Sequence, residues 1–408
     1  MDLCLEPSGV ETTCPTGAGL RMALVTDTAA LEKLRPEWER LLHSSASPEP
    51  MLSPDWLLTW WRIYGQHRAL CAAVFKDGND VVAVAPLLRR RYWYRPGIPF
   101  RRIEFIGADV DEQDGVCSEY LNVITRAGAE AAVANALVEN LVAGALGPWD
   151  ELTLGAMDGL GRMPDPLAEA ARRAGLSVER MTTTHAPYIP LPSTWEEYLA
   201  PLPKKKRYGI VRALRDFETW NGGPIVLQRV RNLADLARGK EILARLHQER
   251  WQAAGAHGAF GSARFAAFHD VLMPKLLAEG KLEVSWLSVR DEPVACIYSI
   301  IANGKTYFYQ CGRRMDVPQG QRPGIVLIAL SIQEAIRSGR REFDFLGGVS
   351  MYKSQMATAL RPVVSLRIVR PCLREKLRRG ADWALQGVRR ARGVLGRRNS
   401  PDKPVKDL

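Results

Sequence analysis

Residues 321–357 read QRPGIVLIALSIQEAIRSGRREFDFLGGVSMYKSQMA, in the order turn, helix, strand, Gly-Gly break and second short helix. Pro323 and Gly324 stand at the start of the first helix, where Pro suits the first turn and Gly lets a ligand approach the backbone. Ile325, Ile328, Ala329, Ile332, Ala335 and Ile336 recur at helical spacing and make one apolar face. Gly339 closes the helix, with Arg337, Arg340 and Arg341 near its negative end. Glu342–Leu346 is short, aromatic and apolar, the pattern of a buried strand. A strand that runs into Gly347-Gly348 is a place where backbones part and a ligand enters.

Around this unit, 408 residues imply two domains of roughly 150–200 residues each. The apolar share of 46% excludes a disordered chain. The longest strongly apolar run, Val81–Leu88, contains Pro86 and is too short to span a bilayer. The first residues lack the basic-plus-apolar start of a signal peptide, so a cytoplasmic location is expected. Seven scattered cysteines with no C-x-x-C pair suit a reducing compartment and argue against a structural metal.

The net charge of +11 is uneven. Residues 372–398 hold nine Lys or Arg against Glu375 and Asp382, and Lys204–Arg207 adds a basic run of four, so anionic partners are expected. Leu373, Leu377, Ala381, Ala384, Val388, Ala391 and Leu395 share helical spacing with arginines between them, the pattern of an interfacial helix on an anionic membrane. A solvated basic tail is the plainer reading of the same residues.

The elements read as mixed α/β. After an unstructured 1–19, a strand at Leu20–Val25, helices at 29–42 and 56–64, and strands at 70–75, 81–88, 103–106 and 120–124 are expected. A helix (127–145), strand (151–154), helix (164–174) and strand (176–181) complete the first half. The second has helices at 195–199, 204–220, 233–253 and 263–277, a strand at 225–229, and a three-strand meander from Leu282 to Cys311. VFKDGNDVVAVAPL in the first half and LSVRDEPVACIYSI in the second repeat strand, charged turn and strand, with Val82-Ala83 matching Val294-Ala295 at an offset of 212. An offset of one domain length indicates a tandem duplication.

A meander followed by a Gly-containing turn, a helix and a strand resembles the GNAT acyltransferase fold. Gln321-Arg322-Pro323-Gly324-Ile325-Val326 matches that family's Q/R-x-x-G-x-G/A motif except at Val326, which replaces a small residue. Residues 186–371 resemble the CelD/BcsL-type (BioF-like) branch through Tyr198-Leu199, the basic helix from Lys204, HQERW at His247–Trp251, Val294-Ala295, Pro323-Gly324, and Asp344–Gly347 followed by Tyr352-Lys353. That branch is similar to the FemABX peptidyltransferases, which carry two GNAT domains. The resemblance implies domains at 20–185 and 186–371, an acyl-coenzyme A donor bound by Gln321, Arg322, Gly324, Ile325 and Val326, and a cell-envelope or polysaccharide-related acceptor, as in cellulose biosynthesis. A free first turn of a helix binds the diphosphate of such a donor.

Acyl transfer to an amine or hydroxyl needs a base for the acceptor and an acid for the leaving thiolate. Tyr352, after the Gly-Gly break, matches the family's thiolate-protonating tyrosine; packing is its alternative role. Asp344 lies inside an apolar strand, as base or in an ion pair with Arg313, Arg314 or Lys353. His247 is a base or a core histidine, while Glu249, Arg250, Tyr307, Tyr309 and Lys353 are candidates for holding the acceptor. Phe308–Gly312 is the strand expected to offer a backbone N–H to the acyl carbonyl. Two other readings stay open: an aminoacyl-tRNA-dependent transferase whose basic helix at Lys204 meets RNA, and a non-catalytic scaffold.

Overall fold

The computed structural model describes residues 10–15, 19–95, 97–108, 114–348, 350–381 and 383. The first half runs β1 (Val10–Pro15), β2 (Arg21–Val25), α1 (Thr28–Lys33), α2 (Arg35–Ser44), α3 (Pro54–Tyr64), β3 (Ala69–Leu70), β4 (Ala72–Asp77), β5 (Asp80–Ala85), β6 (Leu87–Arg95), β7 (Ile98–Phe105), β8 (Ile124–Thr125), α4 (Glu130–Ala143), β9 (Glu151–Asp158), α5 (Pro164–Arg173) and β10 (Ser177–Pro190). The second runs α6 (Trp195–Leu199), α7 (Lys204–Asn221), β11 (Gln228–Arg229), α8 (Leu233–Ala253), α9 (Ala263–Ala278), β12 (Leu282–Val289), β13 (Glu292–Ala302), β14 (Lys305–Arg313), α10 (Pro323–Arg337), β15 (Glu342–Asp344), α11 (Met351–Met356) and β16 (Ala359–Val369). This is the expected mixed α/β architecture.

Local chemistry sets several boundaries away from the sequence expectation. Pro86 has no N–H to donate, so the run Val81–Leu88 divides into β5 and β6. Pro36 restarts the expected helix 29–42 as α2, and Leu34 joins the two pieces. The expected strand 120–124 shrinks to β8, since Tyr120 sits at φ 57° and Leu121 turns to bond Ala156 O. Residues 10–15, expected to be unstructured, pair with β2. Helical residues 373–381 begin the basic tail, and the remainder of the expected tail helix, apart from 383, lies outside the described residues.

The halves repeat one order of elements. β4 ends at Asp77 and β5 begins at Asp80; β12 ends at Val289 and β13 begins at Glu292, each 212 residues later. In both halves the strand that closes the meander pairs in parallel with the strand after the next helix: β7 with β9, and β14 with β15. The last strands interlock. β10 passes from antiparallel pairing with β16 to pairing with β15, while β16 pairs with β9 of the first half. An eleven-stranded sheet, β11-β12-β13-β14-β15-β10-β16-β9-β7-β6-β3, therefore runs through both halves, and β1-β2-β4-β5-β8 form a second sheet.

α10 buries Ile325, Val326, Leu327, Ile328, Ala329 and Ile332 in a core shared with α6, α7 and one face of β13–β15. A larger core joins the first half to α8, α9 and the other face of the meander. β14 thus lies between two apolar layers.

Candidate active site

β14 and β15 pair only over Lys305–Tyr307 and Glu342–Asp344. Beyond them the strands part, and Phe345 N–H donates to Pro187 O of β10 at 2.9 Å. Asp344 directs this departure. Its Oδ1 accepts from Leu346 N–H at 2.7 Å, and Leu346 takes φ 57° before Gly347-Gly348.

A β-bulge sits beside the gap. Tyr298 pairs with Gln310 and Ser299 with Phe308, so Tyr309 is the extra residue. A bulge reverses the alternation of faces. Phe308 and Cys311 consequently share the α10 side, while Tyr307 and Tyr309 belong to the opposite core.

Two cavities flank the parted strands. A cleft of about 390 Å³ is lined by Gln321, Arg322, Pro323, Gly324 and Ile325 at the start of α10, by Arg313, and by Tyr352 and Gln355 of α11. The second, about 300 Å³, is lined by Cys117 and Glu119 of the first half, Trp251, Tyr309, Gly347 and Lys353. Arg250, Phe308, Cys311 and Tyr352 line both. These four residues form the wall that the two cavities share.

Arg313 and Arg322 put two cations in the wall of the first cleft, beside the start of α10. Ile325 and Val326 N–H both donate to Arg322 O, and Gly324, without a Cβ, forms the wall before them. Gln321 Nε2 is tied to Asp216 O at 3.1 Å, while its buried Oε1 has no partner among the described residues. Val326 is buried in the core and lines neither cavity, so its bulk leaves the cleft clear.

Tyr352 is held by α11, which other elements clamp. Lys206 Nζ donates to Ser354 O at 2.6 Å and Tyr198 Oη to Met356 O at 2.9 Å. Burial, and then the neighbouring Cys311, push the Tyr352 phenol well above its usual value. Arg250 lies 5.6 Å over the Tyr352 ring and donates to Cys311 Sγ at 3.4 Å. Burial also raises the Cys311 thiol, so it stays neutral.

In the second cavity, Lys353 Nζ donates to Gly347 O at 2.7 Å and Leu346 O at 3.3 Å. Burial lowers its ammonium, against the charge of Glu119. Glu119 Oε2 accepts from Gly347 N–H. No periodicity or motif marks Glu119; the only local sign in the structure is left-handed backbone at Cys117 and Tyr120 on either side of it.

The other candidates lie off the cavities. Asp344 is ion-paired to Arg361 at 2.6 Å, not to Arg313, Arg314 or Lys353, and lines neither space. His247 is packed between Trp251 and Phe260, with burial holding its imidazole down to about 4. Glu249 Oε1 accepts from Met315 N–H at 2.9 Å. Tyr307 Oη donates to Glu49 Oε2 at 2.6 Å. Among the described residues no His, Cys, Asp or Glu cluster could hold a metal.

Residues 204–354 match the family described as "Acetyltransferase (GNAT) domain". A search of curated protein sequences finds no match. The crystal structure of FemX superposes with a TM-score of 0.57 at 12% identity, covering 84% of this chain and 97% of FemX. The C-terminal domain of a putative lysylphosphatidylglycerol synthetase from Agrobacterium fabrum gives 0.47 at 11% identity, covering 84% and 92%. A tandem GNAT protein from the clavulanic acid biosynthesis pathway gives 0.43 at 13%, covering 86% and 99%. Residues 204–354 thus match the GNAT acetyltransferase domain, and the chain as a whole has the fold of FemX.

Proposed function

We propose that the chain transfers an acyl group from acyl-coenzyme A, taken up in the cleft at the start of α10, to an amine or hydroxyl held in the cavity beside Lys353. The observation that carries this reading is the meeting of the two cavities at Arg250, Phe308, Cys311 and Tyr352. Arg313 and Arg322, with the Cβ-free Gly324 at the start of α10 leaving room between them, receive the donor diphosphate. The parted backbone at Phe308–Cys311 offers N–H groups to the acyl carbonyl.

Tyr352 keeps its proton at neutral pH, because burial raises its phenol, and passes it to the departing thiolate. Glu119 takes the acceptor's proton as the new acyl–nitrogen or acyl–oxygen bond forms and the carbon–sulfur bond breaks. Lys353 orders Gly347 beneath the acceptor. Asp344 and His247 serve as structural groups in this reading, since each lies off both cavities.

Calorimetry of the full chain with acetyl-coenzyme A tests the donor site: one binding event is expected, and a folded protein that binds none overturns the reading in favour of a scaffold. Tight, salt-sensitive tRNA binding without coenzyme A binding would favour the aminoacyl-tRNA alternative. Against that alternative, Lys206 of the basic helix is engaged with Ser354 O. Radiolabelled acetyl transfer to candidate envelope saccharides and amines then identifies the acceptor class.

For peripheral attachment to an anionic membrane, the exposed Leu373 and Leu377 on helical residues 373–381 are the supporting feature. Liposome co-sedimentation that persists after removal of residues 384–408 and exchange of Leu373 and Leu377 for Ser would exclude it.

A further inference from the structure

A third cavity, about 270 Å³, shares no residue with the two at the active site. It lies where the end of α3, the edge of β6 and the start of α9 converge, and its walls include Tyr64, His67, Arg68, Arg90, Arg91 and Arg264. Four guanidinium groups around one small space repel one another. Burial, and then the charge of Arg90, push Arg68 below its ordinary value, with Arg264 adding to the effect.

Internal compensation is incomplete. Glu104 takes Arg90 in a two-point pair at 2.5 and 3.2 Å, and lies 3.9 Å from Arg102 as well. Among the described residues neither Arg91 nor Arg264 has a carboxylate partner, and Arg68 Nε is buried without a hydrogen bond. Arg68 spends Nη1 on Tyr64 O and stands 5.6 Å from the Trp60 ring, which fixes its position. Arg264 falls in the first turn of α9, where the helix dipole disfavours a cation. His67 completes the turn at φ 62°, a strained conformation for a residue with a side chain. Folding thus gathers positive charge where each local rule would disperse it.

We propose that this cavity binds a phosphate-bearing ligand, with the phosphoryl oxygens held by Arg68, Arg91 and Arg264. Arg68 comes from the turn between α3 and β3, Arg91 from β6 and Arg264 from α9, and all three line the space. A tetrahedral phosphoryl group accepts hydrogen bonds from several directions, whereas a carboxylate presents two oxygens in one plane. The bound charge also relieves the repulsion among the arginines.

The test is calorimetry of the full chain with inorganic pyrophosphate, beside sedimentation with phosphatidylcholine vesicles that contain or lack phosphatidic acid. Arg91→Gln with Arg264→Gln is the variant of choice, because both side chains are exposed and free of structural pairs among the described residues. It should weaken phosphate binding about tenfold or more, the scale of one charge-assisted hydrogen bond, with its melting temperature and acetyl-coenzyme A affinity unchanged. Loss of phosphatidic acid capture in the variant assigns the ligand to a lipid headgroup. Loss confined to pyrophosphate assigns it to a soluble phosphate. Equal affinity in wild type and variant, including binding of pyrophosphate at the start of α10 alone, overturns the proposal, as does a wild type that binds neither probe.

Discussion

The Tyr120 phenol donates to Asp344 Oδ2 at 2.9 Å, a buried hydrogen bond between residues 224 positions apart and in different halves of the chain. Arg361 Nη1 donates to the same oxygen at 2.6 Å and reaches Glu342 with Nη2 at 3.0 Å. This cluster sits at the point where β15 leaves β14, so the carboxylate that the sequence left open as base or ion-pair partner is ion-paired and ties the first half to the gap beside it.

Removing that carboxylate should be costly. Asp344→Ala leaves Arg361 and Tyr120 buried with fewer partners, and a loss of about 3 kcal/mol of unfolding free energy is expected. Denaturant unfolding at neutral pH measures it. A change below about 0.5 kcal/mol, the size of an ordinary surface substitution, would show that the cluster does not hold the halves together.

The same group should give stability an unusual pH dependence. Burial pushes the Asp344 carboxyl from 3.8 up to about 6, against the pull of Arg361. The folded chain therefore holds that proton more tightly than the unfolded chain. The resulting stabilisation is present below about pH 4 and is lost as pH rises through 6, an effect of about 3 kcal/mol for a shift of this size. Unfolding free energies of wild type and Asp344→Asn, compared from pH 4 to 7, isolate it; a difference that does not change with pH contradicts the assignment.

Tyr352→Phe removes the hydroxyl while keeping the ring against Phe308 and Arg250. The turnover rate should fall about 10²–10⁴-fold, the usual contribution of a general acid. The acetyl-coenzyme A dissociation constant should stay within about twofold, since Gly324 and the α10 start are untouched. Unchanged turnover would make Tyr352 a packing residue.

A Cβ at Gly347 would stand 2.6 Å from Glu119 Oε1, so Gly347→Ala must displace that carboxylate. Overpacking on this scale costs roughly 1–3 kcal/mol of stability, and loss of a general base should lower kcat/KM for the acceptor about 10²–10⁴-fold. Donor affinity should be preserved. A fall in donor affinity instead would place Glu119 on the wrong side of the site.

The start of the basic tail has a structural task. Glu375 accepts from Arg367, Arg378 and Arg379, and Arg374 Nη1 reaches Asp150 at 2.5 Å. Ending the chain at 371 should destabilise it by about 1–3 kcal/mol, the range for hydrogen bonds to charged groups, whereas ending it at 383 should not. Calorimetric melting of the two truncations, both predicted to fold, separates these outcomes.

Periodicity and turn chemistry were enough to place α7, α8, α9 and α10 in the second half, and the three-strand meander, because their patterns are local. The hairpin repeat at an offset of 212 likewise needed only two aligned turns to be seen. Residues Gln321–Ile325, which line the cleft at the start of α10, were legible for the same reason: the start of a helix is written in consecutive residues.

What the sequence could not decide depends on contacts between distant segments. The extra residue at Tyr309 shifts Cys311 onto the cleft face, and a bulge leaves no mark in a run of apolar and aromatic residues. Glu119 joins Gly347 across 228 positions, and Asp344 chooses Arg361 over the nearer-looking Arg313, Arg314 and Lys353. The stretch 321–357 by itself determines a helix start, a strand and a break. Only the interlocking of β10 and β16, which brings the first half against that break, decides which side chains stand on its far side.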